Sequence, residues 1–289
     1  MASNLKVVPT GRQRHTGANV GAGPRHTKTL GGEKLSLPMT KPSTGTETLF
    51  VAVVLAVAAA FIYAVLKTVQ NRGHQDRGTV GVVATVLVFW LVVPAILASQ
   101  GVLDRYSPPP APGFILIGLI TLGTVILAFS PFGARLAGGI PLAGLVGYQV
   151  FRVPLEWVLH ALYSEGVIPV QMTYAGQNFD IVTGVLAAAL ALWLRTGHRM
   201  VWLVIAWNII GLALLVNIVA IAILSTPVPF RYFMNDPPNL LPGTFPYVWL
   251  PAFLVQAALF GHLLVFRAVK RSLTPPNHTL QPTPTCGRG

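Results

Sequence analysis

Apolar residues in this chain are gathered into long runs separated by short polar segments, whereas a buried soluble core needs only periodic apolar positions. Seven runs stand out: Thr48 to Leu66, Thr79 to Ser99, Gly113 to Phe132, Leu136 to Tyr163, Phe179 to Leu194, Met200 to Leu224 and Phe245 to Phe266. Six are long enough to cross a hydrocarbon core of ~30 Å at about 1.5 Å per residue. The fifth is short: either upstream residues complete it, or it is re-entrant and changes the parity of the topology. The pattern predicts an all-α fold, a polytopic transmembrane helical bundle of about seven spans.

The flanks read differently. Residues 1–47 are rich in Gly, Thr, Lys and Arg, carry no hydrophobic periodicity and lack the apolar core of a signal peptide, so they read as a disordered basic tail. Met39, just upstream of the first run, is an alternative start. Residues 48–271 form the seven-span domain, and residues 272–289 read as a disordered Pro/Thr tail.

Composition agrees with the pattern: 53% of residues are hydrophobic and 10% charged, against about 25% charged in an ordinary soluble domain. A net charge of +12 would suggest nucleic acid in a soluble protein. Here the basic residues flank the spans, so the expected partner is the lipid bilayer and no nucleic acid is expected. With the N-terminus outside, the cytoplasmic segments hold Lys67, Arg72, Arg77, Arg135, Arg195, Arg199, Arg267, Lys270 and Arg271, while the opposite short loops hold Arg105 and Arg231. The positive-inside rule therefore favours N-out, C-in. The basic N-terminal tail opposes this unless the chain begins at Met39. The lone Cys286 excludes an intramolecular disulfide or a Cys-based metal cluster.

In this orientation three long connections share the outer face: the Pro-rich loop near Tyr106, SEGVIPVQMTYAGQN, and STPVPFRYFMNDPPNLLPGT. Such loops suit a binding surface or lid. They also suit plain Pro-stiffened connectors.

The segment FRVPLEWVLHALY carries the candidate chemistry, because ionisable groups at bilayer depth are costly and by default mark a functional site. At 100° per residue, Gln149, Arg152, Glu156 and His160 lie on one helix face. Gly139, Ala143 and Gly147 repeat at the spacing that lets helices approach closely, and Pro141 and Pro154 predict kinks. Glu156, His160, Asn178, Asp180 and Asn217 are expected to meet around a cavity open to the outside. Each has a plainer reading. Arg152 and Glu156 can neutralise one another at i,i+4, His160 can bond a carbonyl, and Asp180 can be a first-turn acid of the fifth helix. Asn208, Gln256 and His262 read as ordinary interhelical hydrogen-bonding groups, and Trp193, Trp202, Tyr247 and Trp249 as an interfacial aromatic belt.

Several functions are excluded. The last span has no lysine for a retinal Schiff base, and His160 and His262 lie about 24 Å apart in depth, too far to share a haem. No phosphate-binding Gly loop, HExxH or GxSxG motif occurs. Two functional readings survive. The polar stripe lines a binding or translocation site for a small molecule, ion or lipid, with Arg152 attracting an anionic group and Glu156 or His160 handling protons. Alternatively Glu156, His160 and Asp180 hold a divalent metal in a membrane-embedded enzyme. A structural or assembly role needs no chemistry. The sequence requires no cofactor and leaves homo-oligomerisation open.

FRVPLEWVLHALYSEGVIPVQMTYAGQNFDIVTG, PFRYFMNDPPN and FPYVWLPAFLVQAALFGHLL resemble segments of an uncharacterised group of bacterial multi-pass membrane proteins. The likeness covers about Leu49 to Arg271 and excludes both tails. It implies a bacterial inner-membrane (plasma-membrane) location and a helical bundle, and it assigns no activity, cofactor or catalytic residue.

Overall fold

The structure is a computed structural model and describes residues 40–70, 77–106, 109–198 and 200–273. The readings placed on residues 1–39, including a start at Met39, and on residues 274–289 lie outside these. The helices are α1 (Thr44–Gln70), α2 (Arg77–Ser99), α3 (Pro112–Phe129), α4 (Pro131–Gly139), α5 (Leu142–Gly147), α6 (Arg152–Ser164), α7 (Asp180–Arg195), α8 (Val201–Leu224) and α9 (Val255–Leu273). A tight 3-10 turn, Tyr148–Phe151, joins α5 to α6, and a π turn, Leu250–Leu254, precedes α9. No strand occurs among the described residues.

Among the described residues five helices are long and apolar enough to cross a membrane: α1, α2, α3, α8 and the Leu250–Leu273 unit. A bent pair, Pro131–Gly139 with Leu142–Ser164, qualifies as a sixth when counted together. The chain is thus an all-α membrane bundle. α7, the short fifth run, has 16 residues, about 24 Å of helix. No upstream helix extends it. Met172, Thr173, Asn178 and Asp180 are buried, so the connection after α6 dips into the protein and α7 starts below the surface of the bundle.

The fourth run is not one continuous helix. It breaks at Ile140 and Pro141, where the axis turns by 105°. Pro141 has no N–H and pushes the residue before it out of the helical region, and Ile140 accordingly sits at φ −97, ψ 130. The second proline acts more gently. Pro154 leaves the Val150 carbonyl without its i+4 donor, and the helix tightens to 3-10 geometry over Tyr148–Phe151. From Leu142 to Ser164 the helix runs about 34 Å, enough to cross without α4. The break also splits the small-residue stripe between two partners. Gly139 lies against Thr68 of α1, while a Cβ on Gly147 would sit 3.3 Å from Ala191 of α7.

Apolar packing falls into two principal clusters separated along the bundle axis. One gathers Phe50 and Val54 of α1 with Leu155, Val158 and Leu162 of α6 and Leu254. The other gathers Leu145 and Val146 of α5 with Ala187, Val204, Phe260 and Val265. On the α5–α6 helix, Gln149 and Arg152 fall between them. The α5–α6 helix therefore passes through apolar, polar and apolar layers.

Backbone groups released by the irregular segments are recaptured by side chains. Gln256 Nε2 donates to the Pro251 carbonyl at 3.0 Å, Trp90 Nε1 to the Ala252 carbonyl at 2.8 Å, and Trp249 Nε1 to the Leu91 carbonyl at 2.8 Å. Trp249 therefore serves helix packing, and Tyr247 is buried against Phe50, so these two do not form the expected interfacial belt. Trp202 is exposed, as a belt residue would be.

α1 starts at Thr44, inside the segment expected to be a tail. Its first residues are tied down: Ser43 Oγ donates to Glu165 Oε1 at 2.7 Å, Thr46 Oγ1 donates to the same oxygen at 2.6 Å, and the Ser43 backbone amide donates to Oε2 at 2.9 Å. Partial burial opposes ionisation of Glu165, but these three donors outweigh it and hold its pKa below the usual glutamate value. Such a group stabilises the fold above the unfolded pKa and loses that contribution as pH falls through the lowered folded value. The protection of the first-turn amides of α1, taken relative to the intrinsic exchange rate at each pH, should fall as pH drops below about 4, near the free glutamate value. It should also fall at neutral pH in Glu165→Ala, and unchanged protection there would remove the anchor.

Candidate functional site

Arg152 stands at the first turn of α6 with its guanidinium fully buried. A buried charge needs partners to replace water, and three neighbouring helices supply them. Nη1 forms an ion pair with Asp180 at the start of α7 and points at the Gly211 carbonyl of α8 at 3.4 Å. Nη2 meets His262 Nε2 of α9 at 3.1 Å. The Arg152–Glu156 pair expected from i,i+4 spacing does not form. Asp180 takes the guanidinium instead, because α7 packs directly against α6 where Gly184 removes the obstacle: a Cβ there would stand 2.9 Å from Val153 Cγ2.

The His262 tautomer follows from its neighbours. Asn208 Nδ2 donates to the His262 carbonyl at 3.1 Å, so Asn208 presents its oxygen to His262 Nδ1 at 2.8 Å. Nδ1 therefore carries the proton, and Nε2 accepts from Arg152. The neutral imidazole is thus a polar acceptor for the cation and adds no charge of its own. Gly211 makes room for the ring, since a Cβ there would lie 2.6 Å from His262 Cε1.

Asn178 joins this network to Glu156. Its Nδ2 donates to Glu156 Oε1 and to the Met172 carbonyl, and its Oδ1 accepts the Asp180 amide at 3.1 Å. Asp180 is a first-turn acid, as its position suggested, but its side chain is spent on Arg152 while Asn178 satisfies the helix terminus. A continuous chain of contacts thus runs Asn208, His262, Arg152, Asp180, Asn178, Glu156. Glu156 is buried, its Oε2 has no partner, and among the described residues no Lys or Arg is in ion-pair contact with it.

A cavity of about 380 Å³ adjoins this network. Arg152, Glu156 and Asp180 line one side, and the walls are apolar residues of α3, α8 and the Leu250–Leu259 stretch. Met172 and Asn239, from the long connections that follow α6 and α8, also line it. Those connections are fastened to one another by Gln171 Nε2, which donates to Ser225 Oγ at 3.0 Å, and the second is folded back on itself, the Asn239 backbone amide donating to the Ser225 carbonyl at 2.9 Å. Val216 and Ala220 of α8 line the cavity and are exposed on the outside of the bundle, so its mouth faces the lipid.

The remaining sequence candidates lie elsewhere. Gln149 donates to the Ala258 carbonyl at 2.9 Å and packs over Gly261, locking α5–α6 to α9. His160 stacks on Tyr174 at 4.6 Å between ring centres; it does not line the cavity, and its Nδ1 meets no carbonyl. Asn217 donates to the Gln177 carbonyl at 2.9 Å and takes no part in the polar site. Among the described residues no group of three His, Cys, Asp or Glu side chains is placed to hold a metal, so Glu156, His160 and Asp180 are not assembled as ligands.

His262, Asn208 and Gly211 were not singled out as site residues. A depth count would have found them. Arg152 is about 15 Å along the helix from Leu142, Gly211 about 15 Å from Val201 and His262 about 16 Å from Leu273, with Asn208 about one turn short of Gly211. Those depths match only once the fourth span is counted from Leu142, beyond the break. Comparisons with protein-family models, curated proteins and solved structures found no match.

Removing one partner of a buried ion pair leaves an uncompensated charge, at a cost of about 3–5 kcal/mol. Asp180→Asn should therefore lower unfolding stability in detergent by that order. The double variant Arg152→Met, Asp180→Leu should recover most of the loss, which chemical denaturation of the purified protein will measure.

Proposed function

We propose that this protein binds an amphipathic small molecule or lipid within a bacterial inner membrane, as part of its uptake, release or movement through the bilayer. The observation that carries the reading is the cavity's construction. Apolar walls open toward lipid and end on a buried, hydrogen-bonded set of charged residues. A volume of about 380 Å³ falls within the usual range of small-molecule sites, roughly 300–1,000 Å³. Apolar walls suit a chain or ring system, and the polar end suits one head group. The outer connections act as a fixed cap over the end of the cavity.

Binding predicts a bound molecule. Mass spectrometry of protein purified from native membranes should find one co-purifying amphiphile, and Ala220→Trp, placed at the mouth, should reduce it to background. Equal amounts in wild type and variant would remove the proposal.

The orientation we infer is N-out, C-in. The start of α1 and Glu165 share one end of the bundle, whereas Arg267 and Arg271 reach the Ser130 and Ala134 carbonyls at the other, near Gly138. Basic residues concentrated at that second end suit the cytoplasmic side. In a Cys286→Ser background, Tyr232→Cys should react with an impermeant maleimide on intact cells, and Ser272→Cys only after lysis. The reverse pattern would invert the topology.

A further inference from the structure

Resting on the cavity reading above, the geometry points to a cationic amphiphile as the ligand: an alkyl chain or ring system carrying a primary ammonium head, held by Glu156. The sequence suggested the opposite sign, with Arg152 as an anion receptor. Arg152 is not free for that role, since Nη1 is taken by Asp180 and Gly211 and Nη2 by His262. Its charge is balanced by Asp180. Glu156 is the remaining carboxylate in the layer, with one oxygen held by Asn178 and the other unpaired.

The unpaired polar atoms on cavity-lining residues point the same way. Glu156 Oε2, Gln256 Oε1 and Asn239 Oδ1 are acceptors, against one donor, Arg152 Nε. The amide orientations are settled by their other contacts: Gln256 Nε2 faces the Pro251 carbonyl and Asn239 Nδ2 the Ala222 carbonyl at 3.0 Å, so in each the oxygen is the group left over. A site short of donors and holding an unmatched carboxylate calls for a ligand rich in donors and positive in charge. A primary ammonium has three N–H donors and no acceptor. An anionic head brings no donor for these oxygens, and a neutral alcohol brings only one. The neighbouring apolar walls, including Leu155, Leu215, Val219 and Leu254, would take the chain.

Three probes with the same chain separate the cases: octylammonium, octanol and octanoate, added to the full-length protein in zwitterionic nanodiscs and measured against empty nanodiscs. Octylammonium should bind saturably and most tightly. Glu156→Gln keeps the acceptor for Asn178 but removes the charge, and should weaken octylammonium at least about tenfold, the equivalent of one charge-assisted hydrogen bond. Octanol should hardly change. Gln256→Leu, on another wall, should weaken octylammonium roughly threefold, as loss of a neutral hydrogen bond would. Octanol or octanoate binding as tightly as octylammonium, or octylammonium binding unchanged in both variants, overturns the cationic assignment. If Ala220→Trp still blocks those probes, the cavity reading stands without it. If Ala220→Trp blocks none of them, both fall.

Discussion

A guanidinium buried at bilayer depth must be surrounded by groups that replace water, and Arg152 meets that demand only where four helices converge. Asp180, the Gly211 carbonyl and His262 each come from a different helix, so the network forms only when α6, α7, α8 and α9 stand in one register. Glycines make this possible. Gly184 lets α7 approach the helix that carries Arg152, and Gly211 accepts the His262 ring. Apolar packing above and below the layer is non-directional, as association of apolar helices in lipid generally is. The polar layer supplies the direction.

The same constraint shapes the cavity. Charged groups concentrated in one layer leave the space between α3 and α8 lined mainly by apolar side chains, with Arg152, Glu156 and Asp180 on one side and Thr121 and Gln256 as polar groups on the other walls. Asn178 couples the two parts, since one side chain holds Glu156, the Met172 carbonyl of the cap and the start of α7. Cap, helix start and the unmatched carboxylate are therefore mechanically one unit. That unit gives the cavity a fixed polar end while its mouth, at Val216 and Ala220, borders lipid.

Much of the fold was legible because a bilayer imposes length and composition on each span independently. The runs, the short α7, the break near Pro141 and the tightening before Pro154 are local consequences of apolar length and missing N–H groups. The candidate site was legible in part. Arg152, Glu156, Asn178 and Asp180 do meet, but in pairs that one helix cannot predict, because i,i+4 proximity of Arg152 and Glu156 competes with a neighbouring helix that brings Asp180 closer. His160 and Asn217 shared the expected depth without sharing the site. Depth along α8 says nothing about azimuth around it, and for His160 a shared face with Glu156 did not decide the contact, since it lies one turn further on where the loop after α6 folds back; each turned to a loop contact instead.

From the amino-acid order alone came the membrane bundle, its approximate span number, the basic ends and the identity of the helix that carries buried charge. Each follows from a property summed over consecutive residues: hydropathy, chain length or helical period. Only the tertiary structure decided which residues pair, that His262 and Asn208 complete the Arg152 shell, and that Glu156 is left with an unmatched oxygen beside a lipid-facing cavity. Those facts depend on helix rotation and register, which are set by close approach at Gly184 and Gly211 and by the geometry of a few hydrogen bonds, and no local pattern encodes them.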